Sequence, residues 1–329
     1  MTAPEITRFV FDPSAGEPVL EPEDAGPGFW VGCPSALVDA GHILLTYRRR
    51  RPRGHPGGDR GWYGAVATST DGRHVEDIWS VTSAQLSSPS MERFCLHLTG
   101  DAVYQLYLSY VDPVDNRWRI DVVEAGSPDS FDVDTRRPVF TAASTGTEGV
   151  KDPKVIRLAD GRLVMVISAA QANLTEDLRR TAHAAADVYN TGLARSVTAL
   201  AESSDDGTTW RWQGIILGPG RGWDRWASRI TTILNAPDGY WAYYDGESDH
   251  RHNYEEKAGL AFSTDLLTWD RLTPDAPALS VSTGSGSVRY IDAVTVGGDP
   301  GTPVRRLYYE MARRDGSHDL RTILVGDPR

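Results

Sequence analysis

The chain has 329 residues, a net charge of −11 and 40% hydrophobic residues. The negative charge argues against a protein that wraps nucleic acid or binds an anionic membrane surface, because both need an excess of Lys and Arg. No apolar run approaches the about 18 residues of a membrane-spanning helix. The N-terminus is neither basic nor followed by an apolar stretch, so we expect no signal peptide and a cytoplasmic protein. Two cysteines are too few for a disulfide framework or a zinc site, and we expect neither metal nor cofactor.

Five short apolar runs recur along the chain, and each is typical of a buried strand. They are Ile43–Arg48, Tyr104–Tyr110, Arg162–Ser168, Tyr240–Tyr244 and Arg305–Tyr309. A further strand is predicted upstream of each run, beginning near Cys33, Glu92, Asp152, Arg229 and Tyr290. These five starting points are 59, 60, 77 and 61 residues apart.

A second pattern, a short Ser- and Asp-containing turn, repeats in step with the strands. Its aspartates are Asp71, Asp129, Asp206, Asp265 and, in a degenerate copy, Asp315. Their separations are 58, 77, 59 and 50 residues, so the same 77-residue step appears in both series. Asp-Gly is strong turn chemistry, and each copy follows a strand-like run. Two series with a shared rhythm indicate an internal structural repeat.

Five units of about 60 residues, each with about four strands, predict an all-β fold, a five-bladed β-propeller that fills residues 1–329 as a single domain. We expect Ile6–Phe11 to supply the outer strand of the last blade, because little chain remains after that blade. The extra length of the third unit falls on residues Asn173–Asn190. This stretch is compatible with a helix, and it predicts a helical or loop insertion over one rim.

The innermost strands of a propeller line a central channel, so residues at corresponding strand ends should converge there. The converging ends carry carboxylates, cations, a phenol and a thiol. These residues are Cys33, Glu92, Lys151, Asp152, Arg229, Tyr290 and Asp292. Buried charges are costly unless they are paired. We therefore interpret this ring as a solvated functional cleft in which Glu92 and Asp152 are the principal carboxylates.

Several segments of the chain resemble blade signatures of five-bladed glycoside hydrolases of families 43, 32 and 130, the last being the mannoside phosphorylase family. They are Gly32–Val38, Gly149–Val155 and Tyr240–Gly246, and the pair Leu44–Arg48 and Ala67–Gly72 is most similar to family 130. The resemblance implies a carbohydrate-active propeller with Asp152 at the reacting centre. The matching Asp is the proton donor in family 130, whereas in family 43 it tunes the pKa of the acid.

Three positions depart from those families. Family 43 brings an Asp base on the first blade, where this chain has Cys33, and a Glu acid on the fourth, where it has Ser228 and Arg229. Family 130 phosphorylases place a His after the fourth aromatic run, where this chain has Asp245. An anionic Asp245 would repel phosphate, which argues against phosphorolysis. Glu92 would then replace a missing carboxylate.

The predicted catalytic residues are Asp152 and Glu92, a carboxylate pair of the kind that cleaves glycosides. Mutual repulsion between the two should raise the pKa of one of them. The predicted substrate-binding residues lie on the same strand ends or the aromatic runs: Arg48, Trp30, Arg229, Tyr290, Asp245, Cys33, Lys151 and Asp292. Cys33 is otherwise a small buried hydrophobic residue, and Trp30 is equally compatible with a core position.

The sequence leaves three functions open. The first is a glycoside hydrolase that acts on a small sugar conjugate or oligosaccharide, with a phosphorylase as its variant. The second is a carbohydrate-binding propeller without catalysis, which Cys33 and Arg229 at expected carboxylate positions would suit. The third is a scaffold for protein partners, which the charged channel disfavours because scaffolds usually present their rim. The expected partner is a small carbohydrate.

Overall fold

The computed structural model describes residues 6–58, 60–252, 254–299 and 302–326. Strand β1 (Glu17–Leu20) precedes four consecutive antiparallel sets. The first set is β2 (Trp30–Asp39), β3 (His42–Arg51), β4 (Arg60–Ser69) and β5 (Glu76–Thr82). The second is β6 (Cys95–Leu98), β7 (Tyr104–Val111), β8 (Trp118–Ala125) and β9 (Arg137–Phe140). The third is β10 (Val150–Arg157), β11 (Leu163–Gln171), β12 (Arg195–Ser203) and β13 (Arg211–Leu217).

The fourth set is β14 (Ala227–Ala236), β15 (Gly239–Glu247), β16 (Lys257–Ser263) and β17 (Asp270–Arg271). The fifth set is β18 (Val288–Asp299), β19 (Thr302–Ala312) and β20 (His318–Val325), together with β1, which pairs with the free edge of β20. Each predicted apolar run therefore falls on a second strand, from β3 to β19, and only Arg162 lies outside, one residue before β11. The first strands begin within four residues of the predicted starting points.

Both faces of the sheets are buried, because neighbouring sets pack against each other. In β11, Met165 and Ile167 pack toward the second set, whereas Val164 and Val166 pack toward the fourth. This two-sided burial explains why Leu163–Ile167 is apolar at every position instead of alternating. Three further hydrophobic clusters join the first set to the second, the fourth to the fifth, and the fifth back to the first.

The prediction for Ile6–Phe11 is wrong. The segment contains a 3₁₀ turn at Thr7–Phe9, and the strand that joins β20 is β1, further along the chain. Phe9 is buried and stacks on Trp241, with ring centroids 4.3 Å apart. The hydroxyl of Tyr243 also donates to the Phe9 carbonyl. The aromatic residues of this segment are therefore core residues rather than one face of a strand.

Two short helices interrupt the described strands, α1 (Ala142–Thr145) and α2 (Glu176–His183). Helix α2 begins at Thr175, whose side chain caps it by accepting a hydrogen bond from the Leu178 amide. It lies between β11 and β12, in the stretch where extra length was predicted. A 3₁₀ turn, Val188–Asn190, then returns the chain to β12. No described helix has the length and apolar character needed to cross a bilayer.

Candidate active site at the converging strand ends

The first strands β2, β10 and β18 each contain a bulge at the same register. Cys33, Asp152 and Tyr290 occupy it with φ values of 53°, 55° and 53°, in the left-handed region. Pairing with the second strand shifts by one residue at each of these points. Non-glycine residues are strained in this conformation and concentrate at functional sites. The shared bulge thus turns three different side chains toward one place.

Glu92 and Arg229, predicted as the equivalents of these residues, do not share their left-handed backbone. Glu92 precedes β6, and the pairing shifts by one residue around it, between the Met91–Tyr110 bridge and the Cys95–Tyr107 pair. In β14 the pairing shifts between Ile230 and Thr232, so Arg229 lies before the irregularity. Both long side chains nevertheless reach the same region. The rhythm of the sequence located the strands and the irregularity at Glu92, but in β14 it was offset by one or two residues.

Asp152 is the least tightly paired carboxylate of the region. Its Oδ2 accepts a hydrogen bond from the Tyr290 hydroxyl at 3.4 Å and lies 3.5 Å from Lys151 Nζ and 3.8 Å from Arg229 Nη1. Its Oδ1 accepts a long, 3.4 Å hydrogen bond from the Arg93 amide. Among the described residues, no ion pair closer than 3.5 Å holds this carboxylate, which leaves it available for a ligand.

Glu92 is held much more firmly. Its Oε2 accepts from Arg48 Nε at 3.2 Å and Arg48 Nη2 at 3.0 Å, and from the Cys33 thiol at 3.3 Å. Burial alone would raise the pKa of Glu92, but Arg48, Lys151 and Arg50 outweigh it and hold that pKa well below its usual range. Burial raises the pKa of the Cys33 thiol, so Cys33 is a neutral donor to Glu92 rather than a nucleophile.

The fourth and fifth sets contribute a chain of buried ion pairs. Arg229 contacts Glu256 and, at 3.5 Å, Asp245. Arg289 joins Glu256 at 2.8 Å to Glu310 at 2.6 Å. Burial opposes ionisation of Glu256, but Arg229 and Arg289 lower its pKa to about 2. Alternation of cations and carboxylates is what makes burial of so many charges tolerable.

Asp245 differs from its neighbours. Burial raises its pKa to about 7; Arg229 opposes this shift and the Glu256 carboxylate adds to it. The sequence predicted a raised pKa within the pair Glu92 and Asp152; the pKa of Glu92 is lowered instead, and outside the pair that of Asp245 is raised. A carboxyl group that is partly protonated near neutral pH also repels phosphate less than the anionic Asp245 assumed from the sequence.

The raised pKa of Asp245 predicts a pH effect on stability. The folded state binds this proton more tightly than the unfolded state, whose Asp titrates at 3.8. The contribution of Asp245 to stability is therefore lost as pH rises from about 4 to about 7. Relative to the wild type, the variant Asp245→Asn should gain unfolding free energy between pH 5 and pH 8, as measured by urea denaturation. Asp160→Asn, at an exposed turn, serves as the control, and a difference independent of pH would contradict the assignment.

Asp292 is held by buried cations and a backbone amide. It is fully buried and pairs with Lys154 at 2.8 Å and with Arg93 at 3.5 Å, and it accepts from the Ala36 amide at 2.7 Å. These contacts join β18 to β2, to β10 and to the segment before β6. They indicate that Asp292 stabilises the centre of the fold.

Trp30 and Lys151 are buried against aromatic rings. Trp30 stacks on His318, with ring centroids 4.5 Å apart, and its indole donates to the Gly316 carbonyl at 3.1 Å. Lys151 Nζ lies 4.8 Å from the Tyr189 ring centroid and 5.1 Å from that of Trp118. Trp30 is 6% exposed, so it serves as a wall of the site.

The predicted solvated cleft needs correction. Asp152 is 6% exposed and Glu92 only 1%, and the surrounding cations are similarly buried. The charges are compensated mainly by one another instead of by water, because the second strands and the loops beside them supply partners. Glu310 is one of these partners. It occupies the position in β19 that Arg48 and Asp245 occupy in β3 and β15, so the aromatic runs carried a signal for it.

Other residues of the site left no such signal in the sequence. Glu256 precedes β16, Tyr254 lies in the preceding loop, and His318 begins β20. His318 is completely buried between Glu310 and Glu255, with N–O distances of 2.8 and 3.1 Å. Residues in loops and third strands reach the centre only through the three-dimensional fold.

Comparison with known proteins identifies the fold but does not identify the activity. No family model and no curated protein matches the sequence. Among solved structures, one described as a glycoside hydrolase is 13% identical, with a TM-score of 0.70 over 100% of this chain and 96% of the other. A thermostable family-43 glycoside hydrolase is 14% identical, with a TM-score of 0.63 over 94% of this chain and 96% of its own.

A third structure comes from the GH130 family of mannoside phosphorylases, described as containing glycoside hydrolases that target β-1,2-mannosidic linkages. It is 17% identical, with a TM-score of 0.62 over 95% of this chain and 93% of that one. The resemblance to propeller glycoside hydrolases is thus confirmed at the level of the fold. At these identities the likeness shows a shared architecture alone.

Proposed function

We propose that the protein is a five-bladed propeller enzyme that hydrolyses a glycosidic bond in a small sugar conjugate or oligosaccharide. The observation that carries the proposal is the contrast between two carboxylates on neighbouring first-strand ends. Asp152 is loosely held beside the Tyr290 hydroxyl, whereas Glu92 is fixed as an anion by Arg48. Two carboxylates in different environments are what glycoside cleavage requires.

In this mechanism Asp152 protonates the leaving oxygen as the glycosidic bond breaks. Tyr290 and Lys151 orient the Asp152 carboxyl group, and Glu92 acts from the other side of the sugar, either on water or on the anomeric carbon. Arg48 keeps Glu92 ionised for that role. Asp245 lies behind Asp152 and is joined to it through Arg229 and Tyr290. The residues of α2 and the turn after it cover one rim as the insertion of the third blade.

The proposal is tested by assaying the purified protein against a panel of aryl glycosides of both anomers. We expect turnover on at least one member and loss of that turnover in Glu92→Gln. Addition of inorganic phosphate should leave the rate and the product unchanged; a sugar phosphate product would instead identify a phosphorylase. Absence of turnover on the whole panel by a folded preparation would contradict the enzymatic proposal.

A carbohydrate-binding propeller without catalysis is the second candidate. It is favoured by the two-point contact of Arg48 with Glu92, which restrains the carboxylate, and by Cys33 on the first bulge. This candidate predicts binding of monosaccharides without turnover. Calorimetric titration of the same sugars that the glycoside panel contains separates it from the hydrolase.

A further inference from the structure

Three buried cations near Asp152 are linked through shared aromatic rings, and Lys151 lies 3.5 Å from Asp152 while Arg60 donates to the Ala186 carbonyl at 2.8 Å. Arg50, Arg60 and Lys151 are 6%, 2% and 1% exposed. Arg50 and Lys151 both lie over the Tyr254 ring, at 4.3 and 5.9 Å from its centroid. Lys151 and Arg60 both lie over the Trp118 ring, at 5.1 and 5.8 Å. We refer to Arg50, Arg60 and Lys151 as the cationic subsite.

The ion pairs of the cationic subsite are all long. Arg50 is 3.5 Å from Glu92, Lys151 is 3.5 Å from Asp152 and Arg60 is 3.9 Å from Asp187. The two ion pairs of Arg289 are closer, at 2.6 and 2.8 Å. Since attraction falls with distance, the cations of the subsite are less fully neutralised than Arg289.

Unused hydrogen-bond donors point to a missing ligand. The Nε atoms of Arg50 and Arg60 are buried and have no acceptor among the described residues. A buried donor without a partner costs about 1–3 kcal/mol, and more when it is charged. Arg60 also stands in the left-handed region, with φ of 57°, which is a strained conformation typical of functional positions. An anionic acceptor would satisfy both guanidinium groups.

We propose that the cationic subsite binds the carboxylate of an acidic sugar, so that the substrate is a glycoside of a sugar acid. This inference rests on the proposed glycoside-directed function. Lys151 adjoins Asp152 in the chain, so the bound anion lies next to the reacting bond. Each cation is already partly neutralised by one carboxylate, which suits a singly charged carboxylate better than phosphate with its charge of about −1.5 to −2. Guanidinium groups match the planar carboxylate in geometry.

The test is calorimetric titration of the wild type with matched pairs of free sugars: glucuronate and glucose, galacturonate and galactose, mannuronate and mannose. We expect at least one acid to bind ten-fold or more tightly than its neutral partner, with an affinity that falls as salt increases. Arg50→Gln and Arg60→Gln should each remove most of that preference. Arg49→Gln is the matched control, because Arg49 lies on β3 beside Arg50 but contacts the Glu21 carbonyl near the surface.

Thermal unfolding of each variant establishes that it is folded; if Arg60→Gln does not fold, Arg50→Gln and the salt dependence carry the test. Equal binding of acids and neutral sugars, no binding of any acid, or a preference that persists in both variants would overturn the proposal. So would inorganic phosphate that binds more tightly than every acid and loses affinity in the two variants. Preference for an acid without turnover on any aryl glycoside would contradict only the hydrolase function. Turnover confined to neutral glycosides would contradict only the acidic substrate.

Discussion

Replacing Asp152 by asparagine is expected to lower turnover on a cleavable glycoside by about 10²-fold or more, the loss typical of a missing acid catalyst. Asparagine keeps the shape of the side chain and accepts the Tyr290 hydrogen bond, but it has no proton to give to the leaving oxygen. Because the ion pairs of Asp152 are 3.5 Å or longer, the substitution should change the unfolding free energy little. Steady-state rates and urea denaturation of the same preparation provide the measurement.

The matched control for this experiment is Asp121→Asn. Asp121 is also buried, but it accepts from the Tyr110 hydroxyl and pairs with Arg119 within the second set. That variant should retain its turnover within a few-fold. An unchanged rate in Asp152→Asn would remove Asp152 from the mechanism. The loss of turnover in Asp152→Asn should be smaller on an aryl glycoside with an activated leaving group, because such a leaving group needs less protonation.

The largest effect on stability is expected for Arg289→Met, a loss of about 3–5 kcal/mol in unfolding free energy at pH 7. Arg289 is completely buried and holds Glu256 and Glu310 through three hydrogen bonds of 2.6–3.0 Å. Without it, two buried carboxylates lose their shared cation. The deficit should shrink as pH falls, since protonation of Glu310 and Glu256 then removes the uncompensated charge.

The control is Arg162→Met, because the Arg162–Asp160 pair is about half exposed. An exposed pair is worth about 0–1 kcal/mol, so that variant should unfold almost like the wild type. Adding Glu310→Gln to Arg289→Met should recover part of the loss, since it removes one of the stranded charges. A small effect of Arg289→Met, or a deficit that does not depend on pH, would show that the ion pairs do not sustain the centre of the fold.

The repeat made most of the strand framework predictable. The apolar runs and Asp-containing turns are local patterns, and each run coincides with a second strand of the structure to within one residue. Ile6–Phe11 misled because alternating aromatic residues are equally suited to a strand and to a plug between sheets. Phe9 packs between sheets, because its ring stacks on that of Trp241. Only the packing of distant elements decides between the two.

The site was predictable as a set of residues but not as a network. The sequence indicates that Asp152, Glu92 and Arg229 converge, yet their electrostatic roles depend on partners that lie far away in the chain. Burial raises the pKa of Asp245 although Arg229 opposes it, whereas Arg48 outweighs burial and holds the pKa of Glu92 down. A difference of one bulge residue also decides which side chains turn inward, and hydrophobic periodicity does not record it.

The repeated bulge in β2, β10 and β18 places side chains of different chemistry in the same way. A left-handed non-glycine residue costs roughly 1–2 kcal/mol, and the surrounding sheet has to hold the backbone in that conformation. The same backbone presents a thiol at Cys33, a carboxylate at Asp152 and a phenol at Tyr290. The backbone conformation at these positions therefore does not depend on which side chain it carries. A single substitution at one of them would change the functional group presented at the centre while the scaffold stays the same.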